Sequence, residues 1–229
     1  AFENDQVGMF AKELAEFCGM EQVLPMNTGA EAVESAIKTA RKWGYLKKGI
    51  PKNKAVIVAA RNNFHGRTTT IISASTDPLA TKDFGPFMPG FEIIPYNDVP
   101  AIEKALENPE VCGLWMEPIQ GEAGVFVPDE GYLKTAEALC RKKNVLLMMD
   151  EVQTGIARTG KRLASDYENV KPDILILGKA LSGGVYPVSV VLADDEVMMN
   201  LKPGEHGSTF GGNPIAANVV VAALEVVKE

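Results

Sequence analysis

The sequence predicts an α/β fold, a mostly parallel sheet flanked by helices. Three observations carry that expectation. Aliphatic runs of strand length, from Lys54 to Ala60, Val111 to Met116, Val145 to Met149 and Ile174 to Leu177, read as buried strands. Segments of helical periodicity separate them, which is the alternation that builds parallel sheets. Polar residues at His65 to Arg67, Glu117, Asp150 and Lys179 fall directly after those strands. In such sheets ligands gather at the carboxyl ends of the strands.

Taken in order, Met9, Phe10, Leu14 and Phe17 have helical spacing, and Gly19 stops that helix. Val23 to Met26 is a short apolar approach to Asn27-Thr28-Gly29-Ala30-Glu31. Thr28 is a good N-cap residue, and Glu31 follows it at capping-box spacing. Val33, Ile37 and Ala40 mark the buried face of a helix running toward Lys48. The Pro- and Gly-rich stretch from Ser75 to Gly90 reads as an irregular surface loop. Phe91 to Pro95 is a short strand, Val99 to Leu106 a small helix and Tyr132 to Lys143 a longer one facing inward through Leu133, Ala136, Leu139 and Cys140. Val185 to Leu192 alternates imperfectly and reads as one more strand. A glycine-rich loop from His206 opens a final helix at Ile215.

Composition narrows the class. The 229 residues are 46% hydrophobic, enough for a sizeable core. The net charge of -7 and the lack of any Lys/Arg block exclude a nucleic-acid surface. No apolar run reaches membrane-spanning length. Cys18, Cys112 and Cys140 lack metal-ligand spacing, and no metal is expected. Their odd number implies reduced thiols in a cytoplasmic setting, or the mitochondrial matrix if a targeting segment precedes this stretch. The chain opens on Ala1-Phe2-Glu3 and stops inside an apparent helix at Glu229. It is therefore expected to be a fragment of a longer protein.

Several segments carry chemistry, each with a plainer alternative. A lysine at the mouth of an apolar strand is expected to be poorly hydrated. That lowers its pKa and makes Lys179 a usable nucleophile toward a carbonyl; the alternative is a surface lysine just past a strand. The turn at Thr28 to Ala30 opens a helix and can bind phosphate, or is an ordinary capped start. Phe64 can stack on a flat ring and Arg67 can clamp a carboxylate; otherwise this is a turn with Phe64 in the core. Glu117 and Glu122 flank a turn that can orient substrate amines. Asp150 closes an all-apolar strand, where staying ionised requires a partner cation. A protonated pyridine nitrogen would serve, and an N-cap or metal ligand is the alternative. The loop from His206 to Pro214 either reaches an anion or is a connector.

Six segments together resemble one family. They are Asn27 to Ala32, Phe64 to Thr68, Glu117 to Gly124, Asp150 to Gly155, Gly178 to Gly184 and His206 to Pro214. The chain resembles, over nearly its whole length and in the family's order, the class III (ω-amino acid) aminotransferases of fold type I, which use pyridoxal 5′-phosphate (PLP). Asp166 to Val170, Tyr186 to Ser189 and Ala123 tilt the resemblance toward the branch acting on ornithine rather than acetylornithine.

That resemblance implies the following roles. Lys179 holds PLP as a Schiff base and moves the substrate proton. Asp150 pairs with the ring nitrogen, Gln153 lies near the phenolic oxygen, Val152 packs under the ring and Phe64 stacks above it. Thr28, Gly29 and Ala30 cradle the phosphate, and His65 and Glu117 belong to the cofactor shell. Thr209 reaches the phosphate of a neighbouring subunit, which implies a homodimer with shared sites. Arg67 holds the substrate α-carboxylate. Glu122 pairs with an arginine of a C-terminal domain that, like the family's N-terminal segment, is expected to lie outside this chain, so the resemblance implies that residues 1–229 are the family's large cofactor-binding domain. The implied reaction moves the δ-amine of ornithine to 2-oxoglutarate. Acetylornithine or 4-aminobutyrate is the alternative donor, and an inactive truncated domain is a further alternative. A dinucleotide or P-loop protein is excluded, because Gly178-Lys179 is followed by Ala180 and no dinucleotide glycine fingerprint occurs.

Overall fold

The computed structural model describes residues 4–229, so the opening Ala1-Phe2-Glu3 lies outside the description. Seven strands, β1 (Gln22–Met26), β2 (Val56–Ala60), β3 (Phe91–Ile94), β4 (Val111–Met116), β5 (Leu146–Asp150), β6 (Ile174–Leu177) and β7 (Ser189–Ala193), form one sheet in the order β1-β7-β6-β5-β4-β2-β3. From β3 to β6 all neighbours are parallel. Strand β7 runs antiparallel to both β6 and β1. The apolar segment at Val23 to Met26, read from sequence only as an approach, is thus an edge strand.

Helices cover both faces. They are α1 (Val7–Cys18), α2 (Gly29–Trp43), α3 (Thr69–Ile72), α4 (Pro78–Thr81), α5 (Val99–Ala105), α6 (Tyr132–Lys143), α7 (Asp195–Met198) and α8 (Pro214–Lys228). Successive strand residues point to opposite faces, which splits the core in two. Leu114, Met116, Leu147 and Met149 pack with Phe10 and Leu14 of α1, Leu133 of α6 and Val220 of α8. Trp115, Met148, Ile174 and Ile176 pack with Ile37 and Trp43 of α2 and Ile71 of α3. Each such side chain contributes roughly 1.5–3 kcal/mol by leaving water.

Local departures from expectation have local causes. Met9 is exposed, while Phe10, Leu14 and Cys18 form the buried face of α1. The helix expected to reach Lys48 is α-helical only to Trp43 and continues as a π turn from Gly44 to Lys48. A Cβ on Gly44 would lie 2.7 Å from Cys112 Cβ, so the helix end is pressed directly onto β4. The supposed irregular loop contains α4, capped by Asp77, whose carboxylate accepts the Leu79 N–H. The strand expected from Val185 begins only at Ser189, because Gly183 and Gly184 have positive φ and Pro187 has no N–H to donate.

Candidate active site

The carboxyl ends of β2, β4, β5 and β6 open into one pocket of about 320 Å³. Its size falls within the roughly 300–1,000 Å³ typical of small-molecule sites. Thr28, Gly29 and Ala30 line it from the start of α2, Phe64 and His65 from the loop after β2, and Glu117 and Glu122 from the segment after β4. Asp150, Val152 and Gln153 come from the end of β5, and Lys179 follows β6.

The start of α2 is built by its cap. Thr28 Oγ1 accepts the Glu31 N–H at 3.2 Å, and Glu31 Oε2 accepts the N–H groups of Asn27 and Thr28 at 2.9 and 2.8 Å. Capping therefore leaves the N–H groups of Gly29 and Ala30 to the pocket, at the positive end of a 15-residue helix. Gly29 is needed for this approach, since a Cβ there would sit 3.2 Å from Val152 Cγ1. Val152 also covers Gly178, and so forms the floor between α2 and β6.

Asp150 and His65 form the buried centre. Asp150 Oδ2 lies 2.6 Å from His65 Nδ1, and Asp150 Oδ1 accepts the Val152 N–H at 3.0 Å. The His65 ring stacks on Trp115 at 3.8 Å between centroids, and its Nε2 is buried without a hydrogen-bond partner. Glu117 is 5% exposed, and its Oε2 accepts the Phe64 N–H at 3.1 Å. Burial pushes the Glu117 carboxyl up to about 7; His65, the Phe64 N–H and Lys179 oppose the rise, and the charge of Asp150 adds to it.

Lys179 departs from expectation. It lines the pocket but is exposed, so the poor hydration expected of a lysine following an apolar strand is absent. The backbone turns out of β6 at this residue with φ 42°, a left-handed value uncommon for a residue with a side chain, and enters a 3-10 turn closed by Gly183. Arg67 and Thr209 lie outside the pocket. Arg67 Cζ lies 5.7 Å from the centre of the Phe64 ring, in a neighbouring hollow shared with Thr69 and Phe84. Thr209 lines an adjoining cleft that shares Asn27, Thr28 and Ala30 with the pocket. Gln153 Nε2 donates to Glu122 Oε1 at 3.1 Å, lying across Gly121, where any Cβ would collide with it.

Four contributors were given no place in the site from sequence. Tyr186, Pro187 and Val188, noted there only as part of a strand and for the resemblance of their segment, line the pocket after the Gly183-Gly184 turn. Glu151 is fully buried and accepts the Ala164 and Ser165 N–H groups and the Ser165 and Thr154 hydroxyls. It thereby anchors the segment carrying Val152 and Gln153, and only its place beside Asp150 hinted at this.

A lysine amine, a buried carboxylate and a helix start converge at the strand ends. The family description "Aminotransferase class-III" fits residues 1–229. The chain belongs to the class III aminotransferase family. It is 61% identical over 229 residues to the mitochondrial ornithine aminotransferase of Drosophila melanogaster, covering all of this chain and 53% of that protein. A solved structure of the ornithine aminotransferase from Toxoplasma gondii, with partial occupancy of PLP at its active site, superposes with a TM-score of 0.98 at 56% identity. It covers 99% of this chain and 54% of its own. The acetylornithine aminotransferase of Elizabethkingia anophelis superposes at 0.86 with 51% identity, over 99% of this chain and 53% of its own. This class III chain thus spans about half the length of the relatives it matches. Its fold is that of the fold-type I aminotransferase structures.

Proposed function

We propose that this chain is the cofactor-binding part of an enzyme that uses PLP to move the δ-amino group of ornithine to 2-oxoglutarate, giving glutamate 5-semialdehyde and glutamate. The observation that carries this reading is the convergence of Lys179, Asp150 and the first turn of α2 on one pocket. The donor set fits PLP: an amine for its aldehyde, a buried acid for its ring nitrogen, and two unengaged N–H groups at a helix start for its phosphate. Bound there, PLP supplies an electron sink for the amine-bearing carbon of the substrate.

The chain's own residues supply binding, orientation and proton transfer. Lys179 Nζ would hold the cofactor and take up and return the proton of the substrate carbon. Asp150, held by His65 and the Val152 N–H, would pair with the ring nitrogen. Val152 and Phe64 would bracket the ring, with Gln153 at its edge. Arg67 would hold the α-carboxylate of ornithine, leaving the δ-amine to react. Glu122, held by Gln153, would contribute to the substrate side of the site. A second copy of the chain would bring its own Thr209 loop to the phosphate, making a homodimer the working unit.

The match to the Elizabethkingia acetylornithine enzyme, weaker than that to the Toxoplasma ornithine enzyme, supplies a second, rival reading in which only the donor differs. Two measurements test the proposal. Added PLP should give an absorbance band near the edge of the visible that Lys179→Ala abolishes; a band unchanged by that substitution would sink the cofactor assignment. In one coupled assay of the enzyme containing this chain, ornithine should outpace acetylornithine and 4-aminobutyrate, and the opposite order would select the second reading.

A further inference from the structure

The glycine-rich loop that carries Thr209 lies along one face of α2. Glu31, Ser35, Lys38 and Lys42 follow one another at helical spacing and so share that face. The loop is fastened to it at three levels. Glu205 pairs with Lys42, His206 meets Lys38 and Ser35, and Asn27 Nδ2 donates to Ser208 Oγ at 3.0 Å. Ser208 Oγ also accepts the Gly211 N–H, which folds the loop back toward α8.

The middle fastening has a direction. Ser35 Oγ donates to the Glu31 carbonyl at 2.7 Å, which leaves its oxygen to accept from His206 Nε2, also at 2.7 Å. Lys38 Nζ, which can only donate, lies 2.8 Å from His206 Nδ1. The hydrogen-bond network therefore assigns a neutral imidazole with its proton on Nε2. A proton on Nδ1 would remove the acceptor and set two cations against each other.

We propose that His206 is a positioning residue and a pH-sensitive latch, which holds the Ser208–Thr209 loop on α2 only while its imidazole is neutral. Among the described residues, no facing carboxylate is free to stabilise the imidazolium. Glu31 is occupied by the N–H groups of Asn27 and Thr28, Glu34 lies by the Thr68 hydroxyl, and Glu205 is taken by Lys42. Burial and Lys38 both hold the His206 pKa below its ordinary value, in that order. The sign follows: the latch contributes fully above the ordinary histidine value and is lost as pH falls through the lower, folded one. Its consequence for Thr209 rests on the cofactor reading above; the latch itself does not.

The test uses the chain without cofactor. The sequence has two histidines, so labelled imidazole signals are few, and His206→Gln assigns them. Nitrogen shifts should show the Nε2–H form at pH 8. Amide exchange of residues 206–211 should rise in step with His206 protonation, while β5 and β6 stay protected. Lys38→Met should raise the His206 titration midpoint, and loop release should move up with it. An Nδ1–H tautomer would overturn the proposal. So would loop protection indifferent to the titration, or loop release that tracks unfolding of β5 and β6 in both proteins. Loss of the Lys179-dependent PLP band would instead count against the cofactor reading and leave this result standing.

Discussion

Glu117 shows how one buried side chain couples stability to pH. Its folded pKa of about 7 lies above the ordinary carboxyl value of 4.5 because burial penalises the charged form. Between those two values the folded state binds more protons than the unfolded one, so stability falls as pH rises, and above about 7 the penalty is fully present. A shift of that size corresponds to roughly 3 kcal/mol. Glu117→Gln keeps an oxygen for the Phe64 N–H but carries no charge. It is therefore expected to stabilise the chain at pH 8 by an amount of that order, with the gain shrinking toward pH 5. Urea midpoints of both proteins at the two pH values measure this, and an equal difference at both would refute it. Sequence alone gave Glu117 its place at a strand end. It could not give the burial, nor the His65–Asp150 pair beside it, whose partners are 85 positions apart in the chain. Lys179 is the converse case: its apolar neighbours suggested poor hydration, but the residue is exposed at the pocket, where the backbone turns left-handed.

The segment between β5 and β6 hangs on Glu151. Two backbone N–H groups and two hydroxyls end on its carboxylate at 2.7–2.9 Å. Glu151→Ala would leave four buried donors unpaired and is expected to cost about 3–5 kcal/mol. Hydrogen exchange should locate the loosening at residues 152–165, including Val152 and Gln153. Glu151→Gln keeps one acceptor oxygen and should cost less; equal losses for the two would show that the side chain merely fills space. The end of α2 against β4 is limited by volume rather than charge. Gly44→Ala forces a methyl to 2.7 Å from Cys112 Cβ and is expected to destabilise by about 1–3 kcal/mol without altering the PLP band. Element order was legible because the strands are continuous apolar runs and Thr28, Glu31 and Gly19 are strong end signals. The π turn after Trp43 was not, since it depends on what Gly44 meets across the core.

At the scale of the whole molecule, the sheet explains why the site was partly legible. Parallel strands deliver their following residues to one edge, so Glu117, Asp150 and Lys179 had to meet once their strands were recognised. Arg67 and Thr209 leave the sheet on longer loops, and no strand register dictates where they go. Those outer loops are also where apolar side chains stand in solvent. Leu79, Phe84, Phe87 and Met88 lie in one stretch, Val125 to Val127 in another, and Val185 and Phe210 on two more. Isolated exposed apolar residues are ordinary, but runs of them mark surfaces that associate. A homodimer that shares its Thr209 loops would bury such runs. Sedimentation equilibrium of the chain should give a mass that rises with concentration toward twice 24.7 kDa. Leu79→Glu combined with Phe84→Glu lies outside the pocket and should return the mass to one chain while circular dichroism stays unchanged. A mass fixed at 24.7 kDa at every concentration would mean that these loops are covered by something other than a second copy, and would remove the support they lend to a shared site.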